Sequence, residues 1–243
     1  MTLLAIDTSG ASASVALFDG ERVLAEATWH ARRRHDDLLF PSIERLLVLA
    51  GLGPASVQRI AVALGPGSFT GLRVGIAAAQ GIARGSGASI VGVPTLDVIA
   101  QPFRSGRVRV CALVPAGRGE HYAAVYRGRG ERWARRSAIQ VGTVAEIALR
   151  VALDTLFAGD VDAATAAELR ERLGPRAIFP SPSAATRRAG HLAELGWERF
   201  EAGEAVAPEA LEPLYIRPPA IRGPAGELRE RDEPVAAPVR TGA

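Results

Sequence analysis

The chain has 243 residues, 48% of them hydrophobic, enough for one large domain or two intimate small ones with a substantial core. No stretch reaches the roughly 18 uncharged apolar residues that a bilayer span needs, and a single cysteine, Cys111, excludes an intramolecular disulfide and a Cys-only zinc site. The formal charge is only +3 while the pI is near 9.7, because every basic side chain is an arginine; a coding bias accounts for that, and so weakly basic a chain permits RNA nearby without arguing for it.

Met1 to Asp7 has no basic leader region and meets an acid quickly, so it reads as a first strand, and a reducing cytoplasm is the expected compartment. Thr8-Ser9-Gly10 then supplies turn chemistry. Ser12 to Phe18 alternates, Asp19-Gly20 turns the chain, and Glu21 to Trp29 runs back. Asp-Gly between two strand-like runs is a strong hairpin signal, so a three-stranded meander is predicted. A helix follows over roughly 36 to 50, with Asp36 and Asp37 in its first turn, where the dipole favours anions. Leu39, Ile43, Leu46, Leu47 and Ala50 form one apolar stripe, while Leu38, Val48, Leu49 and Leu52 lie off it. A helix apolar on two sides is covered on both, by its own sheet and by something else.

Arg59 to Leu64 reads as a buried strand, and Gly65-Pro66-Gly67-Ser68-Phe69 as a rigid turn. A second helix spans about 70 to 84, Ser89 to Val93 is a further strand, and Pro94-Thr95 opens a short helix by N-cap logic. The order β-β-β-α-β-α-β implies a mixed sheet flanked by helices. Arg107 to Val114 and His121 to Tyr126 should pair across Gly117-Arg118-Gly119, with a third strand near 133 to 139, as if the first plan were repeated. From 143 to 180 the pattern reads helix, strand, helix, and 183 to 202 reads as one helix. Residues 208 to 217 are extended, since prolines flank and interrupt them. The run 223 to 243, rich in Pro, Gly, Ala and charge, reads as a disordered tail.

The chemistry is sparse. Gly65 to Gly75 is not a Walker loop, which ends in Gly-Lys-Ser/Thr, nor a nucleophile elbow, because Pro66 stands where glycine is required. It offers a stiff turn and an N-cap, Ser68 or Thr70, whose free N–H groups could take an anion; a plain capped helix explains it too. In the helix beyond, Gly71, Gly75 and Ala79 recur every four residues beside Ala78, Gly81 and Ile82. Each interior glycine costs roughly 1 kcal/mol, so several need a compensating use: close approach of another backbone, either the chain's own sheet or a helix of another subunit. In the second case Phe69 is an anchor and Arg73 a clamp on a carboxylate. Asp7-Thr8-Ser9, at the end of the first strand, could cradle a phosphate or simply turn the chain. His30 and His35 are five apart, off a shared helical face, and His121 and His191 are isolated, so no metal site is expected. Cys111 reads as a core residue.

The segments Leu4-Ala5-Ile6-Asp7-Thr8-Ser9, Ser14-Val15-Ala16-Leu17, Gly65-Pro66-Gly67-Ser68-Phe69-Thr70-Gly71-Leu72-Arg73-Val74-Gly75, Gln80-Gly81, Gly92-Val93-Pro94-Thr95-Leu96 and Glu212-Pro213-Leu214-Tyr215-Ile216-Arg217 together resemble the TsaB family, also called YeaZ. The resemblance covers about 1 to 222, densely up to 100. It implies an α/β fold of the actin/Hsp70-like (ASKHA) type, built of two ribonuclease-H-like halves, here 1–102 and 103–222, with 223–243 as the tail. It implies a non-catalytic scaffold or activator for threonylcarbamoylation of the adenosine beside the tRNA anticodon. The implied partners are the catalytic, metal-bearing TsaD and the ATPase TsaE, with tRNA reached through the complex and a homodimer as an alternative assembly. Docking through the first two helices would involve Leu38, Leu39, Leu46, Leu49, Phe69, Thr70, Gly71, Arg73, Val74, Gly75, Ala78, Ala79 and Ile82. Asp7, Thr8 and Ser9 could hold phosphate, with weak ATP or ADP binding. One departure stands out: relatives show Asp-Ala-Arg where this chain has Pro115-Ala116-Gly117, which puts a nucleotide contact from that loop in doubt. The competing readings are a glycoprotease-type metallopeptidase, which needs a ligand set and an activated water, and an ATP-dependent kinase of the same fold.

Overall fold

The computed structural model describes residues 1–31, 35–128 and 132–216, together with 221–222 and 228–229. The last four residues form a two-residue antiparallel ladder; the disorder expected for 223–243 otherwise falls outside the described residues, as does the arginine run 32–34.

The predicted meander forms as β1 (Thr2–Asp7), β2 (Ser12–Phe18) and β3 (Val23–His30), paired antiparallel in sequence order. Asp19 stabilises the turn by accepting bonds from the Glu21 and Arg22 amides. The helix α1 (His35–Leu49) leads to β4 (Val57–Gly65), and α2 (Phe69–Ser86) leads to β5 (Ser89–Pro94). Both strands add parallel, β4 on β1 and β5 on β4, giving the order β3-β2-β1-β4-β5.

The chain then repeats the plan. After α3 (Thr95–Ala100) come β6 (Arg109–Gly117), β7 (Glu120–Arg127), β8 (Ala134–Arg135) and β9 (Gln140–Thr143). Next are α4 (Val144–Leu149), β10 (Thr155–Gly159), α5 (Ala163–Leu173) and β11 (Ala177–Ile178). β7 is antiparallel to β6, whereas β10 is parallel to β6 and β11 to β10. The predicted third strand is split, with β8 and β9 pairing with different ends of β7. The helix-strand-helix reading of 143 to 180 holds.

Each sheet is buried on both faces. On the first, Leu4, Ile6, Val15, Leu17, Ile60, Val62 and Ile90 pack under α1 and α2. Leu3, Ala5, Ala16, Phe18, Ala61 and Val93 face the other way, onto α7 (Ala189–Glu201). On the second sheet, Cys111, Leu113, Ala123 and Phe157 meet α4 and α5, and Val110, Ala112, Val114 and Ala158 meet α3. Two local expectations need correction and one pair of alternatives is resolved. Thr95 is the first helical residue and Pro94 the N-cap, with no side-chain bond. Ser68, not Thr70, caps α2, accepting from the Gly71 amide at 3.2 Å. The single helix expected over 183–202 is broken: α6 (Pro182–Ala185) ends, Thr186 and Arg188 are extended, and α7 begins at Ala189. The break re-aims Arg187, with the consequences described below.

Candidate functional site

One stripe of α1 is core, as its spacing implied: Leu39, Ile43, Leu46 and Leu47 are buried under the first sheet. Of the residues off that stripe, Leu52 packs half-buried against the core, and the others are uncovered. Leu38 is 46% exposed, Phe40 56%, Val48 73% and Leu49 68%. Leu38, Val48 and Leu49 fall within about a third of the helix circumference, beside the exposed Glu44 and Arg45, while Phe40 lies on the opposite flank; an uncovered apolar strip of this kind marks an interaction surface.

The small residues of α2 are differently disposed. A Cβ on Gly71 would lie 2.0 Å from the Thr8 carbonyl oxygen, and one on Gly75 2.2 Å from Thr8 Oγ1. Ala78 and Ala79 are buried, and the Thr8 hydroxyl donates to the Gly71 carbonyl at 2.6 Å. Close approach is therefore spent on the chain's own first strand. Leu39, Leu46, Gly71, Gly75, Ala78 and Ala79, all expected on the docking surface, are enclosed within the chain itself. Val74 and Ile82 are half-buried against the same core. Exposed instead are Phe69, Thr70 and Arg73, followed along the same side by Ala77, Gly81 and Gly85. Nothing lies within 4 Å of a Cβ built on Gly81 or Gly85. This second set, also spaced by four, is the one that a foreign helix could approach. At the head of α2 the Arg73 guanidinium lies 3.9 Å from the Phe69 ring centroid, and its Nε donates to the Tyr215 hydroxyl at 3.3 Å. Tyr215 rests against Phe69 with centroids 5.8 Å apart. The closing segment is strapped to α2 by Gln80, whose Nε2 donates to the Pro208 and Leu211 carbonyls.

Between the sheets lies a cleft of about 1060 Å³, lined by Ser9, Gly10 and Ser68 from one side and Pro115, His121, Asp160 and Glu168 from the other. Ser9 lines it, and Asp7 and Thr8, just before Ser9 in the chain, are buried with it. Asp7 Oδ1 accepts from the Ser9 amide at 2.9 Å and from the Ser9 hydroxyl at 2.6 Å. Its Oδ2 faces Arg187, Nε at 3.4 Å, while Arg187 Nη2 lies 3.5 Å from Asp160 Oδ2. Burial alone would lower the Arg187 pKa, yet the two carboxylates more than offset it and raise it above the ordinary arginine value.

These residues do not fit a phosphate and its metal. The Asp7 charge is already neutralised, the Thr8 and Ser9 hydroxyl protons are committed, and the matching loop offers Pro115 without an acid. In this arrangement Asp7, Thr8 and Ser9, expected as phosphate holders, spend their side chains on the fold's own contacts. Among the described residues, no three His, Cys, Asp or Glu side chains are grouped to hold a metal. His121 Nε2 is 3.4 Å from Thr165 Oγ1. Burial pulls the His121 pKa below its usual value, against the opposing pull of Asp162 and Glu168. Burial also pushes the Cys111 thiol up to about 12, which makes it a core residue and not a nucleophile. Arg187 and Asp160 escaped the sequence reading. The only local sign was Thr-Arg-Arg-Ala-Gly inside an otherwise helical run.

Residues 23–217 match a family model described as TsaD: tRNA N6-adenosine threonylcarbamoyltransferase. The chain is 30% identical to the tRNA threonylcarbamoyladenosine biosynthesis protein TsaB of Escherichia coli, over 89% of its own length and 95% of that protein's. The chain belongs to the TsaB (YeaZ) family. The TsaB protein of Bacillus subtilis is 28% identical, covering 89% of this chain and 94% of that one. The solved YeaZ structure from Pseudomonas aeruginosa superposes with a TM-score of 0.75 at 30% identity, covering 88% of this chain and 99% of that one. The doubled sheet plan is thus that of a TsaB-family chain, and it has the actin-like fold expected from the sequence. Component A of the (R)-2-hydroxyglutaryl-CoA dehydratase of Acidaminococcus fermentans shares that fold alone, at 12% identity and a TM-score of 0.50.

Proposed function

We propose that this chain is a non-catalytic subunit for making threonylcarbamoyladenosine in tRNA, and that it works by docking to a TsaD-type catalytic partner. The relatives' names supply the pathway, and the outer faces of α1 and α2 support the mode of action. The observation that carries it is the uncovered side of this helix pair: Leu38, Val48 and Leu49 on α1, and Phe69, Ala77 and Gly81 on α2. A helix of the partner lies against the bare backbone at Gly81 while the α1 side chains fill its grooves. Burying the exposed parts of those side chains contributes about 1–2 kcal/mol each, enough together to offset much of the association entropy. Phe69, Arg73 and Tyr215 form an aromatic-arginine anchor at one end, the composition that dominates interface energetics.

The committed donors of the inter-sheet cleft support a structural role over a catalytic one. The subunit holds the partner in its active arrangement; TsaE and tRNA join through that partner, and without it two copies of this chain share the same faces. The setting is the cytoplasm, where a lone buried thiol stays reduced. Co-expression of the chain with the TsaD-type subunit of the same organism, followed by size-exclusion chromatography, should give a 1:1 complex. Separate elution of the two proteins would contradict the proposal.

A further inference from the structure

Beside the cleft, against its lining residues Gly10 and Asp160, lies a buried cation that docking alone leaves unexplained. Arg187 is 7% exposed and lies between carboxylates from the two sheets, Asp7 at the end of β1 and Asp160 just after β10. Its seat is built from several independent features. A Cβ on Gly10 would stand 1.6 Å from Arg187 Nη2, so residue 10 must be small for the guanidinium to enter. Asp160 is fixed by its amide, which donates to the Leu113 carbonyl at 3.0 Å. Gly159 before it has φ of +113°, and a Cβ there would lie 2.1 Å from that same carbonyl. On the other side of Arg187, Arg188 pairs with Glu26, and the Ala189 amide donates to Ser14 Oγ at 2.9 Å. The backbone at 187 is therefore held against β2 and β3, although the side chain reaches the opposite sheet.

From Asp7 the contacts continue into the docking helix. Asp7 Oδ1 organises Ser9, and the Ser9 carbonyl accepts from the Ser68 amide at 2.8 Å, just before the first turn of α2. Thr8 donates to the Gly71 carbonyl, with no room for a Cβ at Gly67, Gly71 or Gly75. So the loop 7–9 is wedged between the guanidinium and the head of α2, and a shift of one end must move the other. Removing the cation would leave the buried Asp7 carboxylate, and beside it the partly exposed Asp160, without their partner, an unfavourable state for a charge held out of water.

We infer that Arg187 is a positioning residue that ties the two sheets across the cleft and, through Asp7, Thr8 and Ser9, sets the placement of the first turns of α2. Its functional meaning rests on the reading of α2 as part of the docking face. The test is Arg187→Met in the full chain, read by amide hydrogen exchange on the isolated protein and by affinity for the TsaD-type subunit. Exchange in residues 69 to 75 should accelerate at least tenfold more than in β4 and β5, and partner affinity should fall about tenfold. Arg187→Lys, which keeps a charge between the carboxylates, should recover most of both. Uniform acceleration across the first sheet, or no acceleration at the head of α2, would overturn the inference. Acceleration at α2 with unchanged partner affinity would support the strut and overturn the docking reading instead. If Arg187→Met does not fold, Asp160→Asn serves the same comparison, with about threefold effects in the same direction expected and none at α2 overturning it.

Discussion

The two halves share one topology, and their helix pairs occupy equivalent places: α1 and α2 follow β3 and β4, while α4 and α5 follow β9 and β10. Their outer surfaces differ. α5 shows solvent Ala163, Ala164 and Ala167 with Arg170, Glu171 and Arg172, the last paired to Glu168 at 2.8 Å. α4 is two turns short, closed by a capping box between Thr143 and Glu146, with one large apolar side chain outside, Leu149. α1 instead shows Leu38, Phe40, Val48 and Leu49, and α2 shows bare backbone at Gly81 and Gly85. The same core requirements are met twice; only one pair keeps an apolar exterior. A fold repeat thus fixes what faces the sheet and leaves the outer stripe free to be made for water or for a partner.

The comparison is broken most sharply by charging the exterior of the first pair. Val48→Asp combined with Gly81→Arg should weaken binding of the TsaD-type subunit at least 100-fold, about 2.7 kcal/mol, with the thermal midpoint of the isolated chain nearly unchanged. Glu171→Leu on α5 should leave binding unaltered. The inner face behaves in the opposite way. Gly75→Ala forces a methyl against Thr8 Oγ1 and should cost about 1–3 kcal/mol of stability, measured by urea denaturation.

That distinction between inner and outer stripes was not available from spacing. Gly71, Gly75 and Ala79 repeat every four residues, and so do Ala77, Gly81 and Gly85. Periodicity finds both stripes, yet only Thr8, more than sixty residues upstream, decides which is covered. Local signals served the meander well, since Asp19-Gly20 and the alternation of β2 need no distant partner. The mixed sheet flanked by helices followed from the same local order of elements, whereas the strand orders are visible only in the structure. Arg187 was invisible for the converse reason. Helical propensity through 183–202 is strong, and the break is imposed by Asp7 and Asp160, 180 and 27 positions away in the chain. The phosphate reading of Asp7, Thr8 and Ser9 met the same obstacle, because hydroxyls at a strand end look free until their acceptors are known.

Smaller effects sharpen the contrast on the second half. Thr143→Ala removes the α4 cap and should cost about 1 kcal/mol without touching partner affinity. His121 is held below its usual pKa chiefly by burial, so the unfolded chain takes up its proton first as pH falls. Its stability contribution is complete above about pH 6.5, the ordinary histidine value, and is lost progressively as pH drops from there toward the depressed folded value. The thermal midpoint should therefore decline across that window, and His121→Gln should flatten the decline.

The most direct measurement is calorimetric titration of the organism's TsaD-type subunit with this chain and with the Val48→Asp, Gly81→Arg variant. Tight 1:1 binding by the natural chain, abolished in a variant that still melts cooperatively near the original temperature, is the expected result. Undiminished binding by that variant would mean that the partner lies elsewhere and that the bare exterior of α1 and α2 is not what holds it.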